Sequence, residues 1–213
     1  DTPLPAPSID TGAGLERIAA ILQGTRTNYH TDLFLPIIAE AEEIVGRRYS
    51  LDPADWEEGL PFRVLADNAR AVAFMLADGV FPSNEGRGYV LRRVLRRAGR
   101  YAWLLGRREP TLDRLVNVVA DLMSDTYPQL AHRRDHLIRT TRSEEERFLA
   151  TIDAGMGRFD ELAPQAGQGT IPGAEVFRLY DTYGFPLDLT QLMAAERGYE
   201  VDVDGFDTAL EEQ

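Results

Sequence analysis

The chain contains no cysteine and no lysine, and only three histidines, His30, His132 and His136. Without cysteine there are no disulfides, no thiolate metal sites and no thiol nucleophile. Three scattered histidines leave little for a zinc site. No apolar run approaches the ~18 residues that a membrane span needs. The opening DTPLPAPSID is proline-rich and acidic, unlike a signal peptide, so a cytoplasmic location is expected. What is present is a 213-residue chain, 44% hydrophobic and 27% charged. That composition suits one large domain or two small ones and argues against disorder. All 23 basic residues are arginine, against 35 acids, for a net charge of −12. Taken alone, this balance argues against a nucleic-acid partner, because phosphate repels a net-negative surface.

Most of the chain reads as helix. Pro3, Pro5 and Pro7 hold the start extended, as an edge strand. Leu15, Ile18, Ala19 and Leu22 sit at helical spacing within residues 14–23. A second amphipathic helix is expected from about Thr31 to Arg47, capped by Thr31 or Asp32. Residues 48–61 read as a linker, 62–77 as helix, and 78–88 (DGVFPSNEGRG) as a breaker run. Helices follow over 89–105, 111–124 and roughly 139–163, then a loop over 167–173. FRLYDTYGFP (177–186) reads as a short strand or turn leading into a helix near Pro186. A last helix begins near Asp204 and is still running at Gln213, which suggests a fragment of something longer.

The charge is unevenly distributed. Arg87–Arg108 contains eight arginines and no acid, so this stretch is +8 and the remainder −20. On a helical wheel Arg92, Arg93, Arg96, Arg97 and Arg100 fall opposite Val90, Leu91, Val94, Leu95, Ala98 and Tyr101. Like charges at i,i+4 cost ~0.2–0.5 kcal/mol per pair, so such a stripe needs a counter-charge. Acids on neighbouring helices could supply it. So could an anion track, since guanidinium forks suit phosphate oxygens and a stripe two turns long matches a nucleic-acid backbone. Screening over ~8–10 Å would shield such a track from distant acids.

Two smaller constellations stand out. In DTGAGLER (10–17), alternate glycines permit close backbone approach to a ligand, and a helix N-terminus favours an anion. Arg17 in that first turn is disfavoured by the helix dipole unless an anion is near. A plain turn with a helix start is the simpler alternative. Asn84 in PSNEGRG and Asp181 in YDTYGFP lie in breaker segments, where turn-forming Asx side chains are common. Either could instead read a base edge. An amide offers donor and acceptor, whereas a carboxylate accepts only and so selects an amino group. Tyr180, Tyr183 and Phe185 read as packing.

IDTGAGLERIAAILQG (9–24), TDLFLPII (31–38), RVLADNARAVAFMLADGV with PSNEGRGYVLRRVLRRA (63–98), SEEERFLATIDAGM (143–156) and FRLYDTYGFPLDLT (177–190) appear in order over nearly the whole chain. This series resembles the alanyl-tRNA synthetase family of class II aminoacyl-tRNA synthetases. The resemblance implies a mainly α fold: residues 1–25 as the last strand and helix of the class II antiparallel catalytic sheet (motif 3), and 26–213 as a helical domain that recognises the tRNA acceptor stem. It implies that Asp10 holds the alanine ammonium group, that Gly12 floors the alanine pocket, and that Gly14 and the catalytic Arg17 meet ATP. Asn84 and Asp181 match the pair that recognises the acceptor-stem G·U of tRNA(Ala), with Arg87, Arg92, Arg93, Arg96, Arg97 and Arg100 as further tRNA contacts. ATP and Mg2+ serve the parent enzyme, and no metal is expected within this fragment. Asn68 stands where the family usually has His, and His30 where Asp is commoner. Motifs 1 and 2 are missing, so the chain alone is not expected to activate alanine. A function of another class remains: a non-catalytic helical module that binds acidic protein partners through its arginine face.

Overall fold

The computed structural model describes residues 12–165 and 169–212. In chain order these form α1 (Leu15–Leu22), α2 (Leu35–Val45), α3 (Leu60–Ala77), α4 (Gly86–Leu104), α5 (Leu112–Met123), α6 (Pro128–His132) and α7 (Arg134–Gln165). Then come β1 (Thr170–Ile171), α8 (Gly173–Tyr183), α9 (Leu187–Glu196), β2 (Glu200–Val201) and α10 (Val203–Glu211). The fold is mainly helical, as expected. Among the described residues the strands are one short parallel pair, Thr170 opposite Glu200 and Ile171 opposite Val201. The expected edge strand over residues 1–11 lies outside the described residues.

Several boundaries differ from the expectation, each for a local reason. Prolines in the first turns of α2, α3 and α6 start those helices, because a first-turn N–H needs no intrahelical partner. Thr31 therefore does not cap α2. Its hydroxyl donates to the Asn28 carbonyl at 2.7 Å and its own carbonyl accepts from Leu35 N, in the turn preceding the helix. Helix α7 begins at Arg134 rather than 139, after the short α6 that the sequence reading lacked. The expected loop 167–173 contains β1. Residues 177–183 are helix, not strand or turn. Pro172 precedes the first turn of α8, and Val176 and Leu179, three apart, are buried on one face.

The apolar residues form two cores. The first joins α2 to α6 and the start of α7 through Ile37, Leu65, Leu76, Leu91, Leu95, Leu115, Val119 and Leu137. The second joins the middle of α7 to α8, α9 and α10 through Phe148, Ile152, Phe159, Val176, Phe185, Leu189 and Phe206. Helix α4 gives its apolar side to the first core and faces α7 with part of its charged side. Asn68 of α3 donates to the Val94 carbonyl of α4 at 3.2 Å and ties the two helices together. Helix α1 is tied to α3 by Glu16–Arg70 at 2.7 Å, while Leu15, Ile18, Ile21 and Leu22 stay exposed.

A carboxylate of α7 closes the N-terminus of α5. Fully buried Glu145 accepts from the backbone N–H groups of Thr111 and Leu112, both at 2.9 Å. Burial pushes its pKa up from 4.5 to about 8, outweighing the backbone hydrogen bonds that pull it down, and Asp113 adds to the rise. A raised folded-state pKa means that the folded chain binds this proton more tightly than the unfolded chain. The stability it confers is complete below about pH 4.5 and is lost as pH rises through about 8. Urea melts across this window are expected to show stability falling with pH, and Glu145→Gln, which keeps an acceptor for α5, is expected to flatten that slope. An unchanged slope would contradict the assignment.

Candidate functional site

The breaker run before α4 folds back over the first turn of the helix. Gly88 makes this possible: a Cβ there would collide with the Phe81 carbonyl and the Ser83 side chain and lie 2.8 Å from Ser83 N. Ser83 Oγ donates to the Glu85 carbonyl at 2.8 Å and closes the turn. Asn84 is thereby presented beside α4, where its Oδ1 accepts from Arg92 Nη1. Arg92 Nε in turn donates to Glu144 Oε2 at 3.2 Å.

The second polar residue arrives from the other core. Asp181 sits exposed in the last turn of α8 rather than in a loop. The helix ends at Gly184, whose φ of +73° is readily adopted only by glycine, and whose carbonyl accepts from Arg96 Nη1 at 2.5 Å. A Cβ on Gly184 would lie 2.7 Å from that same nitrogen. Phe185 beyond it is fully buried against Phe148, ring centroids 5.6 Å apart. Thr151 Oγ1 donates to the Tyr183 carbonyl at 2.8 Å. The end of α8 is thus pinned to α7 and α4. Tyr180 packs edge-on to Phe206, so these aromatics are packing residues, as read from the sequence.

Asn84 and Asp181, far apart in the chain, line one cleft of about 140 Å³ together with Tyr89, Arg92, Arg96 and Tyr180. Arg96 is largely buried, and burial beside Arg92 lowers its pKa to about 10, so it stays cationic at neutral pH. Tyr89 is held above its ordinary pKa by burial and by Asp188. The cleft therefore combines a carboxylate, an amide and two cations.

The arginine stripe is not one uniform track. Arg93 pairs with Asp188 at 3.3 Å. Arg100 makes a two-point contact with Glu196, at 2.6 and 3.2 Å, and its side chain is 5% exposed. With Arg92 on Glu144 and Arg96 on the Gly184 carbonyl, most of the stripe is held by neighbouring helices. Arg100 in particular is buried in the seam between the cores, which corrects its expected place on an open surface. Arg87 and Arg97 face solvent outside this set of contacts. The counter-charge reading thus holds for Arg92, Arg93 and Arg100, whose partners are acids of neighbouring helices.

At the other end, Gly14 is the N-cap of α1, with no side-chain cap, and exposed Arg17 lies in the first turn. They border an open cleft of about 440 Å³ with Asn28, Tyr29, Asp67 and Arg70. Glu16 is held below the usual carboxylate range by a backbone hydrogen bond and by Arg70. Gly12 is exposed, with open space around its Cβ position, and Asp10 lies outside the described residues. Among the described residues no three His, Cys, Asp or Glu side chains gather to hold a metal ion. Glu144, Tyr89 and Gly184 were missed as site residues. Their only signal was membership of the SEEER, EGRGY and DTYGF runs, and their partners come from other helices.

The description "tRNA synthetases class II (A)" belongs to a family profile that matches residues 1–213. The chain belongs to this family of class II tRNA synthetases. More particularly, it is 53% identical over 211 residues to an alanine–tRNA ligase of Stenotrophomonas maltophilia (strain K279a), covering 99% of this chain and 23% of that protein. It is likewise 53% identical over 211 residues, with the same coverage, to the alanine–tRNA ligase of Xanthomonas axonopodis pv. citri. With that of Geobacillus kaustophilus it is 51% identical over 215 residues, or 100% of this chain and 24% of that protein. The chain thus spans about a quarter of the length of these relatives.

Gly88→Ala is expected to displace the Asn84 turn and to cost about 1–3 kcal/mol in urea unfolding, as overpacking does. Gly12→Ala, with nothing within 4 Å, is expected to stay within about 0.5 kcal/mol of the parent. Equal stability of the two variants would contradict the packing described.

Proposed function

We propose that this chain is the tRNA-reading part of an alanine–tRNA ligase, with the Asn84–Asp181 cleft reading the G·U pair in the acceptor stem of tRNA(Ala). The observation that carries the reading is the convergence of these two side chains, one from each core, on one cationic cleft. A G·U wobble leaves the guanine 2-amino group unpaired in the minor groove. A carboxylate is acceptor-only and suits that donor. Asn84 meets the uracil from the other side. Arg87 and Arg97, exposed on α4, take backbone phosphates, while Arg92 and Arg96 make the cleft positive.

In the whole ligase the alanine carboxylate would attack the α-phosphate of ATP and expel pyrophosphate, giving alanyl-adenylate, and a terminal hydroxyl of the tRNA would then attack the activated carbonyl and release AMP, in the cytoplasm. Residues 1–25 would belong to the catalytic domain and 26–213 to the acceptor-stem domain. Asp10 would hold the alanine ammonium group, Gly12 would lie under the amino acid, and Gly14 and Arg17 would meet ATP at the N-terminus of α1, where an anion is favoured. A bound Mg2+ would neutralise phosphate charge. The rival reading, a module that binds acidic proteins through its arginine face, fits less well, because Glu144, Asp188 and Glu196 already occupy that face.

Asp181→Ala is expected to weaken binding of a G·U acceptor-stem hairpin by about 1–3 kcal/mol, while a G·C hairpin is bound as before. Affinity that falls equally for both hairpins would overturn base reading by Asp181. With Arg87 and Arg97 as the exposed arginines of α4, log Kd against log salt is expected to change by about 0.9 per phosphate, for two or three phosphates. No duplex binding at all would favour the protein-partner reading.

A further inference from the structure

We propose that Glu144 and Arg92 are positioning residues that make the Asn84 amide selective for uracil over cytosine, an inference that rests on the base-pair reading above. Glu144 is 5% exposed and both its oxygens are occupied. Oε2 accepts from Arg92 Nε at 3.2 Å and Oε1 from Arg147 Nη1 at 2.7 Å. The carboxylate of α7 thereby clamps the Arg92 guanidinium, whose Nη1 donates to Asn84 Oδ1.

A guanidinium has donors only, so Arg92 can engage Asn84 only through the amide oxygen. The amide NH2 is then the group left to offer a ligand. A base edge presented to it must carry an acceptor. Uracil offers its O4 carbonyl on the major-groove side, whereas cytosine places an amino group there and would set donor against donor. Unclamped, the two ends of the Asn side chain exchange by a half-turn about its last bond, and the oxygen becomes available to cytosine. Glu144 thus acts on the RNA through Arg92 and Asn84 without touching it.

The test uses the 213-residue chain and two acceptor-stem hairpins that differ only in carrying G·U or G·C at the read position, with Kd measured at one salt concentration. The readout is the ratio of the two affinities. Removing a carboxylate adds positive charge and strengthens phosphate attraction for both hairpins, so a purely electrostatic or structural role cancels in the ratio. Glu144→Ala is expected to reduce the preference for G·U by about fivefold or more, and to have no further effect when Asn84→Ala is already present. A ratio that falls with Asn84→Ala but not with Glu144→Ala would overturn the proposal, as would an equal loss from Glu144→Ala in the Asn84→Ala background. If thermal melting shows Glu144→Ala to be unfolded, Glu144→Leu replaces it. Leu keeps much of the side-chain volume but offers Arg92 no acceptor, so the same loss is expected, and an unchanged ratio overturns the proposal. If neither Asn84→Ala nor Asp181→Ala changes the ratio, base reading and this proposal fall together, a result distinct from failure of the clamp alone.

Discussion

Five arginines share one face of α4, and the way four of them are held arranges the rest of the molecule. The helix commits its other face to a core of leucine, valine and alanine, so the charged side cannot turn away from its neighbours. Acids and a carbonyl from the second half of the chain meet it instead: Glu144 from α7, Asp188 and Glu196 from α9, and the Gly184 carbonyl at the end of α8. Arg100–Glu196 shows the balance of terms. Breaking a fully buried pair costs about 3–5 kcal/mol. Here the arginine is buried but the glutamate side chain is 39% exposed, so water screens part of the interaction and the cost is lower. The contribution of these pairs lies less in net stability than in register, because each guanidinium fork accepts a partner in one plane only.

That register is what makes a site. The Asn84 turn belongs to the first core and the end of α8 to the second, and the arginine seam holds them at one edge. Arg92 and Arg96 serve both purposes, since they bind across the seam and line the cleft. The overall −12 charge is consistent with this use. Part of the acid excess is spent on the arginine face, which leaves Arg87 and Arg97 as its outward cations.

Much of this was legible in the sequence, and the exceptions have physical causes. Strong apolar periodicity placed α3, α4 and α5 to within a few residues, because those helices bury a continuous stripe. The same periodicity disclosed the α4 arginine face. It could not say which arginines were exposed, because that depends on Glu144 and Glu196, which are remote in sequence. FRLYDTYGFP misled because its aromatics and closing glycine mimic a strand and turn, although Pro172 and buried Val176 and Leu179 drive a helix. The two-residue strands β1 and β2 had no signal, being held by pairing rather than propensity. Asn84 and Asp181 were identified through family resemblance. Their convergence, and the clamp on the Asn84 amide, required the tertiary structure.

The central claim is that one cleft, assembled across the arginine seam, reads one base pair. It is tested most directly by a crystal structure of this chain with a G·U acceptor-stem hairpin. The expected result is the guanine amino group on Asp181 and the uracil on Asn84, with Arg87 and Arg97 along the backbone. A hairpin bound with its G·U pair away from this cleft would contradict the account.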